Sequence, residues 1–486
     1  MKKQILIFLK RHTGFIIFSL LFFLSHLLYL DTDFHVLEPD EGLFYSFVQQ
    51  VKMGHWPVFD GHLFLETFPL FIFLSAWLDK LTHVWGIFVA QRLLAIIGTY
   101  LLCLGMYIFG LAHKHKDFGL VAAYLVWLMP LSFFYSQTGT MDMLYLGLAS
   151  LSIALLILNL QKSKTHHLLL AGILLALAIL IKFTTCIFLL SPLVIWILYG
   201  KKIIKKLAYY YLGAGIVVGF ILIPYWYIFK NNFVAQALNY PGQHFLNLFN
   251  FRVHLATLYI YIQKSTFLFS PFLALLSLLG MLTLLFLVIK LAKKQNTNSW
   301  QDQYMSHILI FFVPAFIFLY LFNFSPRYAL LLVPALGLLG SYFLTSLFSR
   351  KTIYIALIIV LPWTYQAWLA TQHISIRETK QYVLTLKKAY DLPIYASFEP
   401  EKLSTYFDLP IRLLSPEALK GGIIITDERK TELMANLSEE PYMAMKETWQ
   451  KLDASKQVWL YTDIYNHFPV DSRNNVFKVY LITGLD

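Results

Sequence analysis

The sequence predicts a polytopic α-helical membrane protein that ends in a small α/β domain. Of its 486 residues, 58% are hydrophobic and only 14% charged, against about 25% charged in a soluble chain. Several apolar runs reach the ~20 residues that cross a bilayer as helix. The polar segments between those runs alternate in basic charge, as loops on opposite sides of a membrane do. The net charge of +12 follows from that alternation. Its basic residues sit in short clusters between spans, so nucleic acid is not an expected partner. Cys103 and Cys186 both lie in apolar runs and imply no disulfide framework.

Hydropathy predicts about eleven spans. They fall at 12–30, 86–110, 118–135, 142–160, 168–182, 184–200, 207–229, 266–290, 307–323, 328–348 and 352–370. The first has basic flanks, no small-residue cleavage site and a core long for a signal peptide, so it reads as an uncleaved span. Basic clusters at Lys2–Arg11, Lys114–Lys116, Lys162–Lys164, Lys201–Lys206, Lys290–Lys294 and Arg350–Lys351 mark one side. The positive-inside rule makes that side cytoplasmic, and an odd span count puts the C-terminus outside.

Residues 1–371 therefore form a membrane module, and residues 372–486 an outer domain. Outside the membrane, a long loop begins at residue 31. It leads into "FPLFIFLSAWLDKLTHVW", too short and aromatic for a span and expected to lie as an interfacial helix within the outer segment 31–85. A second outer loop, 230–265, is rich in aromatics and amides. In the tail, "LPIYASF", "GGIIITDE", "KQVWLYTD" and "NVFKVYLIT" read as strands. Between them "EPEKLSTYF" and "ERKTELMANL" read as helices.

Charge inside or beside such spans is costly and marks function when it converges. Asp40 and Glu41 are adjacent acids just past the first span, where like charges repel. Their plain structural role is a solvated loop or the start of a helix over 41–52. Asp142 follows the third span and returns to the same outer face, with an N-cap as its plain role. Lys182 interrupts an apolar stretch, where a lysine must snorkel, pair or bind an anion. Arg327 and Tyr328 sit in a short outer turn, and Arg92 near the outer end of the second span could hold a carboxylate. His35, His55 and His62 share the first outer loop at no recognisable zinc spacing. No phosphate-cradling glycine loop, nucleophile elbow or HExxH motif is present.

These residues, in this order, resemble the GT-C glycosyltransferases, in particular the protein mannosyltransferase and aminoarabinose (lipid A) transferase branch. "EPDEGLFYSFVQQVKMGHWPV" is similar to the family's acidic-pair loop, and "QRLLAIIGTYLLCLGMYIFG" to its arginine-led second span. "PLSFFYSQTGTMDMLYLGLA" resembles the segment with the second aspartate, "LLALAILIKFTTCIFLLSP" the lysine-bearing segment, and "SPRYALLLVPALGLL" the Arg-Tyr segment. Bacterial members often carry a basic Pro-Pro run after the first loop. Here the chain reads "LETFPL".

The resemblance implies a bacterial inner-membrane enzyme with a polyprenyl-phosphate (undecaprenyl-phosphate) sugar donor and a periplasmic transfer site. The acceptor would be lipid A, another glycolipid or protein. Asp40 would be the base of an inverting displacement, Glu41 would position the acceptor or the sugar, and Asp142 would orient them. Lys182, Arg327, Tyr328 and Arg92 would hold the lipid phosphate. Fixed cations would then serve without a cofactor, a divalent ion on Asp40 or Asp142 being the alternative. A lipid or solute transporter is the competitor from another class. It would carry its charges near the midplane of internal repeats, which this sequence lacks.

Overall fold

The computed structural model describes residues 2–27, 39–59, 62–63, 69–82, 86–162, 164–244, 300–321, 326–348, 357–365, 374–397, 400–407, 409–427, 462–463 and 476–482, with isolated positions between them. The described part of 1–348 is a helical bundle. Helix α1 covers Lys2–Leu27, α2 Pro39–Lys52, α3 Leu70–Thr82 and α4 Gly86–Ala112. Then come α5 (Lys116–Leu128), α6 (Pro130–Ser136), α7 (Asp142–Lys162) and α8 (Thr165–Ile181). After them run α9 (Leu190–Tyr199), α10 (Ile204–His244), α11 (Trp300–Leu321) and α12 (Val333–Leu347).

Small residues let the helices close on one another. A Cβ at Gly98 of α4 would lie 2.4 Å from the Leu144 backbone of α7, and one at Gly147 would lie 2.0 Å from the Gly98 carbonyl oxygen. Gly172 of α8 and Gly213 of α10 make the same close approach, to Tyr210 and Leu169 backbone. Between lipid-embedded helices, where no hydrophobic drive exists, such backbone proximity is what holds a pair together. Buried hydroxyls add cross-links: Ser191 donates to the Ile310 carbonyl at 2.8 Å and Ser341 to that of Phe118 at 2.6 Å.

Among the described residues, five helices are long and apolar enough to cross a membrane. A sixth is counted when α5 and α6, bent by 69°, are taken as one span. That bend falls where a straight span was expected at 118–135. Pro130 opens α6, and Met129 before it is extended at φ −59°, ψ 126°, as a residue preceding proline prefers. The expected spans 184–200 and 207–229 form one nearly continuous helical run, broken near Gly200 at φ 64°. The loop expected from 230 is helical as far as His244. Most of the expected span at 266–290 and about half of that at 352–370 lie outside the described residues.

At the end of the bundle where α4 finishes, a buried polar chain joins three helices. The His113 Nδ1–H donates to the Phe109 carbonyl at 2.9 Å, which leaves Nε2 as an acceptor for the His307 Nδ1–H at 2.8 Å. His307 Nε2 in turn accepts from the Tyr199 hydroxyl. Burial pushes the His113 imidazole down to about 4, so it stays neutral.

Among the described residues, the tail holds a five-stranded sheet ordered from edge to edge Ile411–Leu413, Ile394–Ala396, Gly422–Asp427, Val476–Ile482 and Thr462–Asp463. Its strands are β3 (Ile394–Ala396), β4 (Ile411–Leu413), β5 (Gly422–Asp427), β6 (Thr462–Asp463) and β7 (Val476–Ile482). β3 runs parallel to β4 and β5, while β7 runs antiparallel to β5 and β6. Alternation puts Ile423, Ile425, Val479 and Leu481 on one face, against Val383 and Leu386 of α13 (Ile374–Tyr390) and Leu403 and Phe407 of α14 (Pro400–Phe407). Tyr395, Ile424, Tyr480 and Ile482 face the other way. β4 was not expected from sequence, and "ERKTELMANL" lies outside the described residues. Helix α14 packs against α2 and joins the tail to the bundle.

Candidate active site

Helix α2 starts at Pro39, a residue pre-set for the first helical position. Asp40 and Glu41 follow in the first turn, where acids complement the helix dipole. Their backbone is helical, as expected for 41–52, and their side chains lie outside the described residues. So do the side chains of His35 and His62, while His55 is exposed. A short hairpin, β1 (Val58–Phe59) with β2 (His62–Leu63), follows α2. The segment read as an interfacial helix is α3, packed against α2 and α4.

The other proposed residues are described in full, and four of them meet. Lys182 is buried and donates to Asp142 Oδ1 at 2.7 Å. It does not snorkel. Its ammonium also lies 5.3 Å from the Tyr145 ring centroid and 5.9 Å from that of Tyr328, within cation–π range. Arg327 is close enough to act electrostatically on Asp142, and the Thr140 side chain adjoins the same carboxylate. Tyr328 is buried with its ring 5.2 Å from that of Phe318. It is a wall of the site, not an exposed anchor.

Broken helices put these groups there. α8 stops at Ile181, Lys182 is extended at φ −151°, ψ 117°, and a 3-10 turn runs over Phe183–Leu189. Arg327 and Tyr328 lie on a second 3-10 turn, Pro326–Leu332, ahead of α12. Both turns touch α7 near its start at Asp142. Irregular backbone at membrane depth is tolerated where protein or a cavity surrounds it. Asp142 Oδ2 has no hydrogen-bond partner among the described residues. A buried carboxylate oxygen in that state is unusual and suits a site that receives a donor from a ligand.

Arg92 of α4 is 1% exposed, with its guanidinium 5.9 Å from the Phe88 ring centroid. It lies in the second turn of α4. Sequence reading missed Tyr145, Thr140 and His26. Tyr145 is one turn beyond Asp142 and could have been found by helical spacing. His26, fully buried, sits between the Phe22 carbonyl and the Ser136 hydroxyl, each at 2.8 Å, and ties α1 to α6. No sequence signal marks it beyond a polar residue in an apolar run.

Among the described residues, two cations around one carboxylate leave this cluster with a single net positive charge, which suits a phosphodiester. A divalent ion fits poorly there, because Asp142 is already bound to Lys182 and neighboured by Arg327. Among the described residues, no group of three or more His, Cys, Asp or Glu side chains could hold a metal ion.

Residues 68–228 match the family model described as dolichyl-phosphate-mannose-protein mannosyltransferase. No curated protein matches the sequence. Among solved structures, the fold is similar to that of ArnT from Cupriavidus metallidurans bound to undecaprenyl phosphate. The TM-score is 0.56 at 12% identity, covering 96% of this chain and 99% of that one. It is also similar to the Archaeoglobus fulgidus oligosaccharyltransferase in complex with Zn and sulfate, with a TM-score of 0.53 at 12% identity. That match covers 93% of this chain and 72% of the other. The chain thus shares the fold of these two structures, and its residues 68–228 resemble the dolichyl-phosphate-mannose-protein mannosyltransferase family.

Proposed function

We propose that this protein transfers a sugar from a polyprenyl-phosphate donor to lipid A or a related envelope glycolipid, at the outer face of a bacterial inner membrane. The observation that carries the reading is the buried Asp142–Lys182 pair with Arg327 and Tyr328 beside it, built on two broken helices. Lys182 and Arg327 would hold the donor phosphate. As the sugar leaves, that phosphate passes from one negative charge to two, and fixed cations in a water-poor site stabilise the increase. Asp40 would take the proton from the acceptor hydroxyl, with Glu41 positioning acceptor or sugar. Asp142 Oδ2 would accept a hydrogen bond from a sugar hydroxyl, and Arg92 would reach the phosphate or hold an acid in place.

A protein acceptor is the second reading, favoured by the description of the family matched over 68–228. Transfer is tested with the purified protein, a lipid-linked sugar and each acceptor class, followed by mass spectrometry. Asp40→Asn should lower the rate by about 10²- to 10⁴-fold. Unchanged transfer in that variant removes Asp40 as the base.

A further inference from the structure

Helix α2 carries the acidic pair, and what fixes α2 fixes the pair. Two contacts tie it to α3. Near its start, the Phe44 ring lies 5.7 Å from that of Phe71. At its end, Lys52 forms an ion pair with Asp79. The two contacts are eight residues apart on each helix, so α2 and α3 run parallel and in step for about 12 Å. In that register Asp40 and Glu41 extend just past the first residue of α3, Leu70. α3 in turn is seated on α4 and α8.

The ion pair is an odd choice for adhesion alone. Asp79 is 5% exposed on a mostly apolar helix, "LFIFLSAWLDKLT", while Lys52 is half-exposed. Two apolar side chains would hold the helices together at least as well, since burying the Asp79 carboxylate costs desolvation that offsets much of the attraction. What it does better is fix register, the best-attested use of buried polar pairs. The end of α2 is pinned a second time next to it. The Gln50 side chain donates to the Val58 carbonyl at 3.1 Å and accepts from the Val58 N–H at 2.6 Å.

We infer that Lys52 and Asp79 are positioning residues for the reaction: their ion pair sets the axial register of α2 on α3 and so places Asp40 and Glu41. The inference rests on the proposed transfer reaction. Neither residue is assigned a contact with substrate. A slip of α2 would move the acids as a rigid unit while leaving the donor-phosphate cluster on α7 and the 3-10 turns in place.

The test is steady-state transfer with Lys52→Met, Asp79→Asn, the conservative Lys52→Arg and the reversed pair Lys52→Asp/Asp79→Lys, in the full-length protein. Lys52→Met and Asp79→Asn should each lose about 10- to 100-fold in kcat, with the KM for lipid donor nearly unchanged. Lys52→Arg should keep its rate, and the reversed pair should regain a measurable part. Hydrogen exchange over 39–52 should rise in the two charge-removing variants and fall back in the reversed pair. Wild-type kcat in both single variants overturns the inference. So does a loss of folded protein that the reversed pair does not repair, which would mark a merely structural contact. A wild type inactive with every lipid-linked donor overturns the transfer reading and this inference with it. An active wild type with an inactive Asp40→Asn upholds the reading whatever the Lys52 variants do.

Discussion

Lys182 and Asp142 show what a single buried pair decides. The pair is almost fully enclosed, with side-chain exposures of 8% and 1%, so losing Lys182 leaves the buried Asp142 carboxylate without its ion-pair partner. Lys182→Met should therefore destabilise the protein by about 3 kcal/mol, read as a lower unfolding temperature in detergent. The double variant Asp142→Leu/Lys182→Met should recover stability without recovering transfer. If the double variant is as unstable as the single one, the pair contributes packing and not charge compensation. Both residues were visible in the sequence as charges beside apolar runs, but their contact was not. It depends on α8 stopping at Ile181, and nothing before Lys182 in "LLALAILIKF" announces a helix end. At the opposite end, His113 makes a pH prediction. Its folded value of about 4 lies below the ordinary 6.5, so the unfolded chain takes up a proton first as pH falls. The stability it contributes is present above pH 6.5 and lost as pH drops toward 4. In a series of unfolding temperatures against pH, His113→Gln should remove that component of the slope, and an unchanged slope would rule it out.

Among the elements, the α4–α7 pair is the rigid centre on which the site is built. Gly98 and Gly147 face each other so closely that a Cβ at Gly147 would stand 2.0 Å from backbone. No side-chain rotation relieves a clash with a carbonyl oxygen. Gly147→Val should force the two helices apart, shift Asp142 at the top of α7, and cost both folded yield and transfer. Gly215, with nothing within 4 Å of an added Cβ, is the control: Gly215→Ala should be silent in both measurements. Similar loss in both variants would mean the close approach carries no special weight. This level of organisation was only partly legible. Span positions followed from hydropathy, and α4, α7 and α11 fall close to their expected bounds. The bend at Pro130 and the 3-10 turns carrying Lys182 and Arg327 did not follow, because hydropathy averages over a window wider than a helix break. Those breaks are what deliver the charges to one place.

In the whole molecule, the acid-bearing helix α2 lies between two bodies. α3 and α4 support it within the bundle, through Phe44–Phe71 and the Tyr45–Phe88 stack at 4.4 Å. On another side it meets α14 of the tail. Strands β3, β5 and β7 of that tail were readable from the sequence and β4 was not, while its contact with α2 joins residues some 360 positions apart along the chain, and no local pattern encodes it. The contact would give the tail a part in the proposed site by limiting how far α2 can move. Melting the tail sheet should loosen α2 while the α4–α7 centre stays closed. Ile424→Asp puts an unpaired charge at a fully buried strand position and should unfold the sheet. Amide exchange over 39–52 should then accelerate, exchange over 94–110 and 145–157 should stay as in wild type, and transfer should fall with the loosening of α2. Unaltered exchange over 39–52 in a protein whose tail strands exchange freely would mean the bundle alone holds the acidic pair.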